Sequence, residues 1–188
     1  KAVHLRLGYD AGTRAMLDRV QAVVSWYDLL YLEEKYQEWL VYFLGLVEPL
    51  TAGELEEMLR RFNLPAKQTT ALVKGKEAAD EGLGRLFRYG EPSRSQIYHL
   101  LAPLDTEYLL YMLAKSRQEP SRRAISLYFT HLKRLKPEFK GRDLVSMGYA
   151  PGPLIKEMLE RLLEARLNEE VRSRKEEKEF VRRFFGPP

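Results

Sequence analysis

The sequence predicts an all-α protein, and three observations carry that reading. Apolar residues recur at three- and four-residue spacing through most of the 188 residues. Helix-opening patterns of the Ser/Thr-x-x-Glu kind stand at "TAGE" (Thr51–Glu54) and "SRKE" (Ser173–Glu176). No alternating apolar–polar run flanks a two-residue hairpin turn, so no strand is expected. Hydrophobic residues at 45% and charged residues at 31% support a packed core rather than a disordered chain.

The first helix is expected over 11–31, with Leu17, Val20, Val24, Tyr27 and Tyr31 on one stripe. A nearly all-apolar helix over about 36–47, ending before Pro49, is expected at the centre of the core. The capping pattern at Thr51 opens a helix to about Phe62. Pro65 suits a first turn, and its helix should reach about Phe87 with breaks at Gly75 and Gly82. After the punctuation "GEPSRS", helices are expected near 93–102, 105–115 and 120–136, and the last two near 152–167 and 173–185. A boundary near residue 90 would divide a helical body (1–90) from the body end and tail (91–188); one continuous helical unit is the alternative.

Several functions are excluded by what the chain contains. It has no cysteine, hence no disulfide and no thiolate zinc site, which fits a reducing, cytoplasmic setting. Its longest apolar run, "WLVYFLGLV" at 39–47, is nine residues, too short to cross a bilayer, and no membrane partner is expected. No signal peptide is visible. The start at Lys1 and the ending "GPP" lead us to expect a piece of a longer protein. His4, His99 and His131 are scattered without the i, i+4 pairing of a helical metal site, and His99 within "IYHLL" reads as a core or helix-face residue. There is no P-loop, G-x-S-x-G or dinucleotide fingerprint. Two-metal phosphoryl transfer needs closely set carboxylates, and no two aspartates stand two residues apart. We therefore assign no catalytic, cofactor-binding or metal-binding residue and expect the chain to be inactive by itself.

The charge pattern points to a polyanion. Net charge is +4, yet residues 1–60 hold six Lys/Arg against ten Asp/Glu, so the positive charge lies in the remainder. Within 117–142 stand Arg117, Arg122, Arg123, Lys133, Arg134, Lys136, Lys140 and Arg142, against only Glu119 and Glu138. A solvated helix face is the plain alternative. On a helix over 120–136, Arg122 and Lys133 would align three turns apart, as would Arg123 and Arg134, forming a basic ridge. Lys136, Lys140 and Arg142 would continue it into "RDLVSMGYAPGP" (142–153), a turn that ends in Pro151, Gly152 and Pro153 before the amphipathic run that opens at Leu154. Pro153 suits a first helical position, which leaves the N–H groups of Leu154 and Ile155 at a positive dipole end, and Gly152 carries no side chain to hold a phosphate away. Asp143 should cap or brace the turn, since it would repel phosphate. A tight corner whose glycines only meet backbone constraints is the competing reading.

"FKGRDLVSMGYAPGPLIKEMLERLLEARL" resembles the tail segment of bacterial class II tRNA nucleotidyltransferases, the CCA-adding and A-adding enzymes of the poly(A) polymerase family. The matching elements are Gly141, Asp143, Leu144, Gly148, Pro151, Gly152 and Pro153. "SRSQIYHLLAPLDTEYLLYMLA", "WYDLLYLEEKYQEWLVYFLGL" and "ARLNEEVRSRKEEKEFV" resemble the body and ending of the long form, in which CBS domains precede the catalytic module. The resemblance implies an all-α body and tail of about eight to ten helices, a transferase in tRNA processing, and magnesium with ATP (possibly CTP) as needs of the full-length enzyme. It implies as partners the tRNA acceptor/TΨC arm and the protein's own N-terminal head and neck. The head's G-S-x-x-D-x-D and the neck's E-D-x-x-R do not occur here. The RNA-binding residues expected first are Lys140, Arg142 and the turn Pro151, Gly152, Pro153, Leu154; Arg122, Arg123, Lys133 and Arg134 come second. Two other readings are a helix-hairpin-helix-like module for non-specific DNA and an α-helical protein-interaction domain.

Overall fold

The computed structural model describes residue 8 and residues 10–186, and among these it holds ten α-helices and no strand. In order they are α1 (Ala11–Asp28), α2 (Glu38–Leu46), α3 (Ala52–Arg61), α4 (Ala66–Tyr89), α5 (Arg94–Leu101), α6 (Thr106–Lys115), α7 (Glu119–Thr130), α8 (Gly141–Ser146), α9 (Pro153–Leu167) and α10 (Arg174–Phe185). The all-α expectation holds. The chain forms two compact units: the described part of 1–92 with Leu100–Leu127, and Ser93–His99 with the described part of 128–188.

In the first unit α1 opens where Asp10 accepts the Thr13 N–H at 2.7 Å. Its buried stripe of Val20, Val24 and Tyr27 ends there, because Leu30 and Tyr31 turn back onto the carbonyls of Tyr27 and Asp28. Tyr31, expected on that stripe, is 84% exposed. Thr51 and Glu54 make both bonds of a capping box, Thr51 N–H to Oε2 at 2.9 Å and Glu54 N–H to Oγ1 at 3.3 Å. The helix buried on every side is α6, from Thr106 to Ala114, packed by α1, α2 and α4. This corrects the expectation for α2, which buries Leu40, Val41, Leu44 and Gly45 but leaves Trp39 60% exposed.

α4 runs unbroken through Gly75 and Gly82. These glycines admit α6 instead of ending the helix: a Cβ at Gly75 would lie 2.1 Å from Tyr108 Cζ, and one at Gly82 would lie 3.3 Å from Met112 Cε. Beside that contact, Asp80 of α4 receives Lys76 at 2.8 Å, Lys115 at 2.8 Å and the Tyr111 hydroxyl at 2.9 Å. Lys76 also donates to the Leu50 carbonyl at 3.0 Å, and Lys115 reaches Glu48 at 3.2 Å. Burial pushes the Asp80 carboxyl up, but the hydrogen bonds from Lys115 and Lys76 outweigh it and hold it below its ordinary range.

The second unit packs α8, α9 and α10 around Phe139, Leu144, Tyr149, Met158, Leu162, Phe180 and Val181. The start of α5 belongs to it: Arg94 pairs with Glu169, Ser95 N–H donates to Asn168 Oδ1 at 3.1 Å, and Asn168 Nδ2 returns a bond to Ser95 Oγ at 3.1 Å. Glu177 lies fully buried, accepting the N–H groups of Glu138 at 3.0 Å and Phe139 at 2.9 Å and facing Arg166 Nε at 3.2 Å. That carboxylate fixes the extended segment that enters α8. Ser173 caps α10, accepting Glu176 N–H at 3.3 Å, but the Glu176 carboxylate takes the Arg172 N–H at 2.7 Å, one residue earlier than the expected box.

The helix expected over 120–136 ends at Thr130. His131 leaves helical geometry (φ −132°, ψ −56°), Leu132–Arg134 form a 3-10 turn, and Leu135 is extended. Pro137, which has no N–H to donate and turns Lys136 away from helix, bars a helix from reaching 136, although the exit at His131 comes six residues before it. The apolar pattern persists across the break, with Ile125, Tyr128, Phe129 and Leu132 all buried.

Candidate nucleic-acid interface

The first part of the stretch 142–153, expected as a turn, is helical instead and belongs to the short helix α8. Asp143 accepts the Lys140 N–H at 2.7 Å and so opens it. Gly148 closes it in the left-handed region at φ +106°. Tyr149 N–H bonds to the Leu144 carbonyl at 3.3 Å and Gly148 N–H to that of Val145 at 2.9 Å, the paired bonds of a Schellman stop. Leu144 and Tyr149 both enter the core, and the Tyr149 hydroxyl donates to the Gly186 carbonyl at 2.5 Å.

α9 begins at Pro153, with Gly152 as its N-cap and no side-chain cap. Gly152 stands at φ +154°, ψ −164°, a conformation that essentially only glycine adopts, and nothing lies within 4 Å of where its Cβ would be. Pro151, Gly152, Pro153 and Leu154 are all exposed, as are Lys140 and Arg142. The first turns of α8 and α9 are neighbours, since a Cβ at Gly141 would lie 3.3 Å from Ile155 Cγ2. Six of the expected residues thus lie on adjoining backbone of one unit.

One carboxylate stands among them, and it is neutralised. Asp143 Oδ1 receives Arg174 Nη2 at 2.8 Å, while the Arg174 guanidinium lies over the Phe139 ring at 4.9 Å. The Lys140 N–H first, and then Arg174, hold the Asp143 carboxyl below its ordinary range, so it stays ionised and paired. Sequence reading missed Arg174; its only signal was the Arg174, Lys178, Arg182 spacing of four within "SRKEEKEFVRR".

The expected ridge does not form. With α7 ending at Thr130, Arg122 and Arg123 share no helix with Lys133 and Arg134. Arg122 Nη1 donates to the Leu113 and Ser116 carbonyls at 3.1 and 3.4 Å, bracing the end of α6. Arg123 pairs with Glu119 at 2.9 Å. Lys133 sits over the Phe129 ring at 5.7 Å, and Arg134 is exposed. His99 lies on a helix face with Nε2 3.7 Å from Glu164 Oε1, His131 Nδ1 meets the Thr130 hydroxyl at 2.7 Å, and His4 falls outside the described residues. Among the described residues no three His, Cys, Asp or Glu are grouped to hold a metal ion, and no helix is long and apolar enough to cross a membrane.

No family model matches the chain. Its fold is similar to the Thermotoga maritima CCA-adding enzyme complexed with tRNA-CCA, with a TM-score of 0.66 at 18% identity over 95% of this chain and 43% of that one. It is also similar to a CCA-adding enzyme in its apo form II, with a TM-score of 0.65 at 18% identity over 95% and 41%. The all-α fold is therefore shared with part of these CCA-adding enzymes. In sequence, 179 residues (93% of the chain) are 36% identical to the A-adding tRNA nucleotidyltransferase of Geobacter sulfurreducens, covering 20% of that protein. The chain is thus related in sequence to that A-adding tRNA nucleotidyltransferase, and spans about a fifth of its length.

Proposed function

We propose that this chain is the C-terminal helical body and tail of a cytoplasmic tRNA nucleotidyltransferase that adds A or CCA, and that it holds the acceptor/TΨC arm of tRNA by charge and shape. The head, the neck, magnesium and the nucleotide belong to the rest of that protein. The chain covers a fifth of the curated relative but two fifths of the solved ones, so that relative is about twice as long, which supports the long form.

The observation that carries the binding role is the exposed α8–α9 surface. There Lys140 and Arg142 adjoin an uncapped helix start, and the single nearby carboxylate is paired with Arg174. An A-form RNA rod offers side chains little base information in its deep major groove, so a protein that serves many tRNAs grips phosphates and 2′-hydroxyls. In this arrangement Lys140 and Arg142 meet phosphates, and the start of α9 receives one at its positive dipole end beside the Leu154 N–H, the Ile155 N–H being taken by the Gly152 carbonyl at 3.1 Å. Arg122 ranks behind them, because its Nη1 already donates to the Leu113 and Ser116 carbonyls.

Titrating tRNA binding against salt tests this. Lys140→Ala and Arg142→Ala should each weaken all tRNAs about equally and lower the slope of log affinity against log salt by roughly one. Lys35→Ala, an exposed change in the acidic N-terminal stretch, should leave both unchanged, and duplex DNA of equal length should compete poorly. Equal losses at Lys35 and Lys140, or an unaltered slope in both interface variants, would remove the assignment. Gly152→Val cannot decide the question, since the backbone at Gly152 excludes a branched residue whether or not a phosphate approaches.

A further inference from the structure

We infer that the RNA-binding surface does not end at the α8–α9 turn but continues along one flank of α10, through Lys178 and Arg182, with Lys175 beside them. This rests on the binding role proposed above and adds a backbone-phosphate track to it.

The flank is defined by helical spacing. Arg174, Lys178 and Arg182 follow one another at four residues, and Lys175 lies beside them seven residues before Arg182, so the four occupy one side of α10 over about 12 Å. The buried side is fixed by Glu177, Phe180 and Val181. Glu176 projects away from the row with its carboxylate engaged by Arg172 N–H, while Glu179, four residues after Lys175, borders the row on that side. No carboxylate stands on the line from Arg174 through Lys178 to Arg182.

The row is joined to the turn by one contact. Arg174, its first member, bonds to Asp143 of α8 at 2.8 Å, and Asp143 in turn holds the Lys140 N–H. The basic flank therefore starts where the candidate interface stands, and Lys178 and Arg182 carry it away one turn at a time.

Most cations of α9 and its flanking segments are ion-paired. Arg94 and Arg172 pair with Glu169, Arg161 with Glu164, Arg166 with Glu138 and Glu177, and Lys156 with Glu160. Arg183, on the far side, lies over the rings of Phe180 and Phe184. Lys175, Lys178 and Arg182 are exposed and have no carboxylate within ion-pair distance among the described residues. A row of unpaired cations costs self-repulsion in the isolated chain, and a row of phosphates removes that cost. Its one-turn rhythm and lack of apolar or aromatic side chains between the cations suit a backbone of regularly spaced charge, rather than unstacked bases.

The test is the double variant Lys178→Ala/Arg182→Ala of this chain, titrated with tRNA across salt beside Arg183→Ala and Lys140→Ala. The double variant should lower the salt slope by roughly two and weaken tRNA by tens of fold at moderate salt. Arg183→Ala, an equal change on the opposite flank, should move the slope little. An unchanged slope in the double variant with a lowered one in Lys140→Ala overturns the α10 track and leaves the turn in place. No tRNA binding by the parent chain, or no effect of Lys140→Ala, overturns the underlying role instead. If the double variant loses binding only to phosphatidylserine vesicles, the flank is a membrane contact and the RNA track is wrong. Circular dichroism melts of each variant keep unfolding from passing for lost binding.

Discussion

A carboxylate sealed from solvent, such as Glu177, persists only if its lone pairs are used, and here two backbone N–H groups and Arg166 use them. Glu177→Gln keeps the size but removes the charge facing Arg166 and turns N–H groups toward N–H groups. We expect a loss of about 3 kcal/mol in urea unfolding, the low end for breaking a buried pair. Because the bonded amides belong to Glu138 and Phe139, just before Lys140, tRNA affinity should fall with it. Asp80 acts in the other unit and shows itself through pH. Its carboxyl is held below the ordinary value, so its contribution is complete above about pH 4, the unfolded value, and disappears as pH falls through the lower folded value. The urea midpoint should therefore drop between pH 6 and pH 3, and Asp80→Asn should flatten that drop while lowering stability at neutral pH, where Lys76 loses its counter-charge.

At the scale of elements, the α4–α6 crossing makes a prediction that helix propensity alone would get wrong. Alanine favours a helix interior over glycine by about 1 kcal/mol, so Gly75→Ala would stabilise an isolated α4. In the folded unit the new methyl would lie 2.1 Å from Cζ of the buried Tyr108 ring, so the ring has to move. Net destabilisation of about 1–3 kcal/mol is expected in thermal melts, and Gly75→Ala combined with Tyr108→Leu should cost clearly less than the two changes added. This crossing also shows what the sequence can and cannot tell. Helix existence was readable wherever apolar spacing and a start signal coincided, as at Thr51 and Pro65. Whether a glycine interrupts a helix or admits a neighbour depends on another helix, and periodicity along one chain carries no such information. That the helix stops short of 136 was readable from Pro137, but the apolar spacing continued through the 3-10 turn and concealed the earlier end at Thr130.

At the scale of the whole molecule, the part of the candidate interface visible in sequence was the part made of chain neighbours: Lys140, Arg142, and the glycine and prolines before α9. What lay beyond reach was made by folding, namely the pairing of Arg174 with Asp143 across 31 residues and the basic row on α10 that it joins to the turn. Arg122 likewise carries a contact that its sequence position does not reveal, the donation of Nη1 to the Leu113 and Ser116 carbonyls. The interleaving of the two units has a further consequence, for synthesis. The first unit has all its residues once Leu127 is made, whereas the opening residues of α5, made earlier, lack their partners Asn168 and Glu169 until roughly forty residues later. At typical elongation rates of about 5–20 residues per second, that is a wait of roughly 2–8 s. A nascent chain thus passes through a stage in which the first unit can close while Arg94 and Ser95 wait in solvent, the interval in which a chaperone or protease would meet this protein.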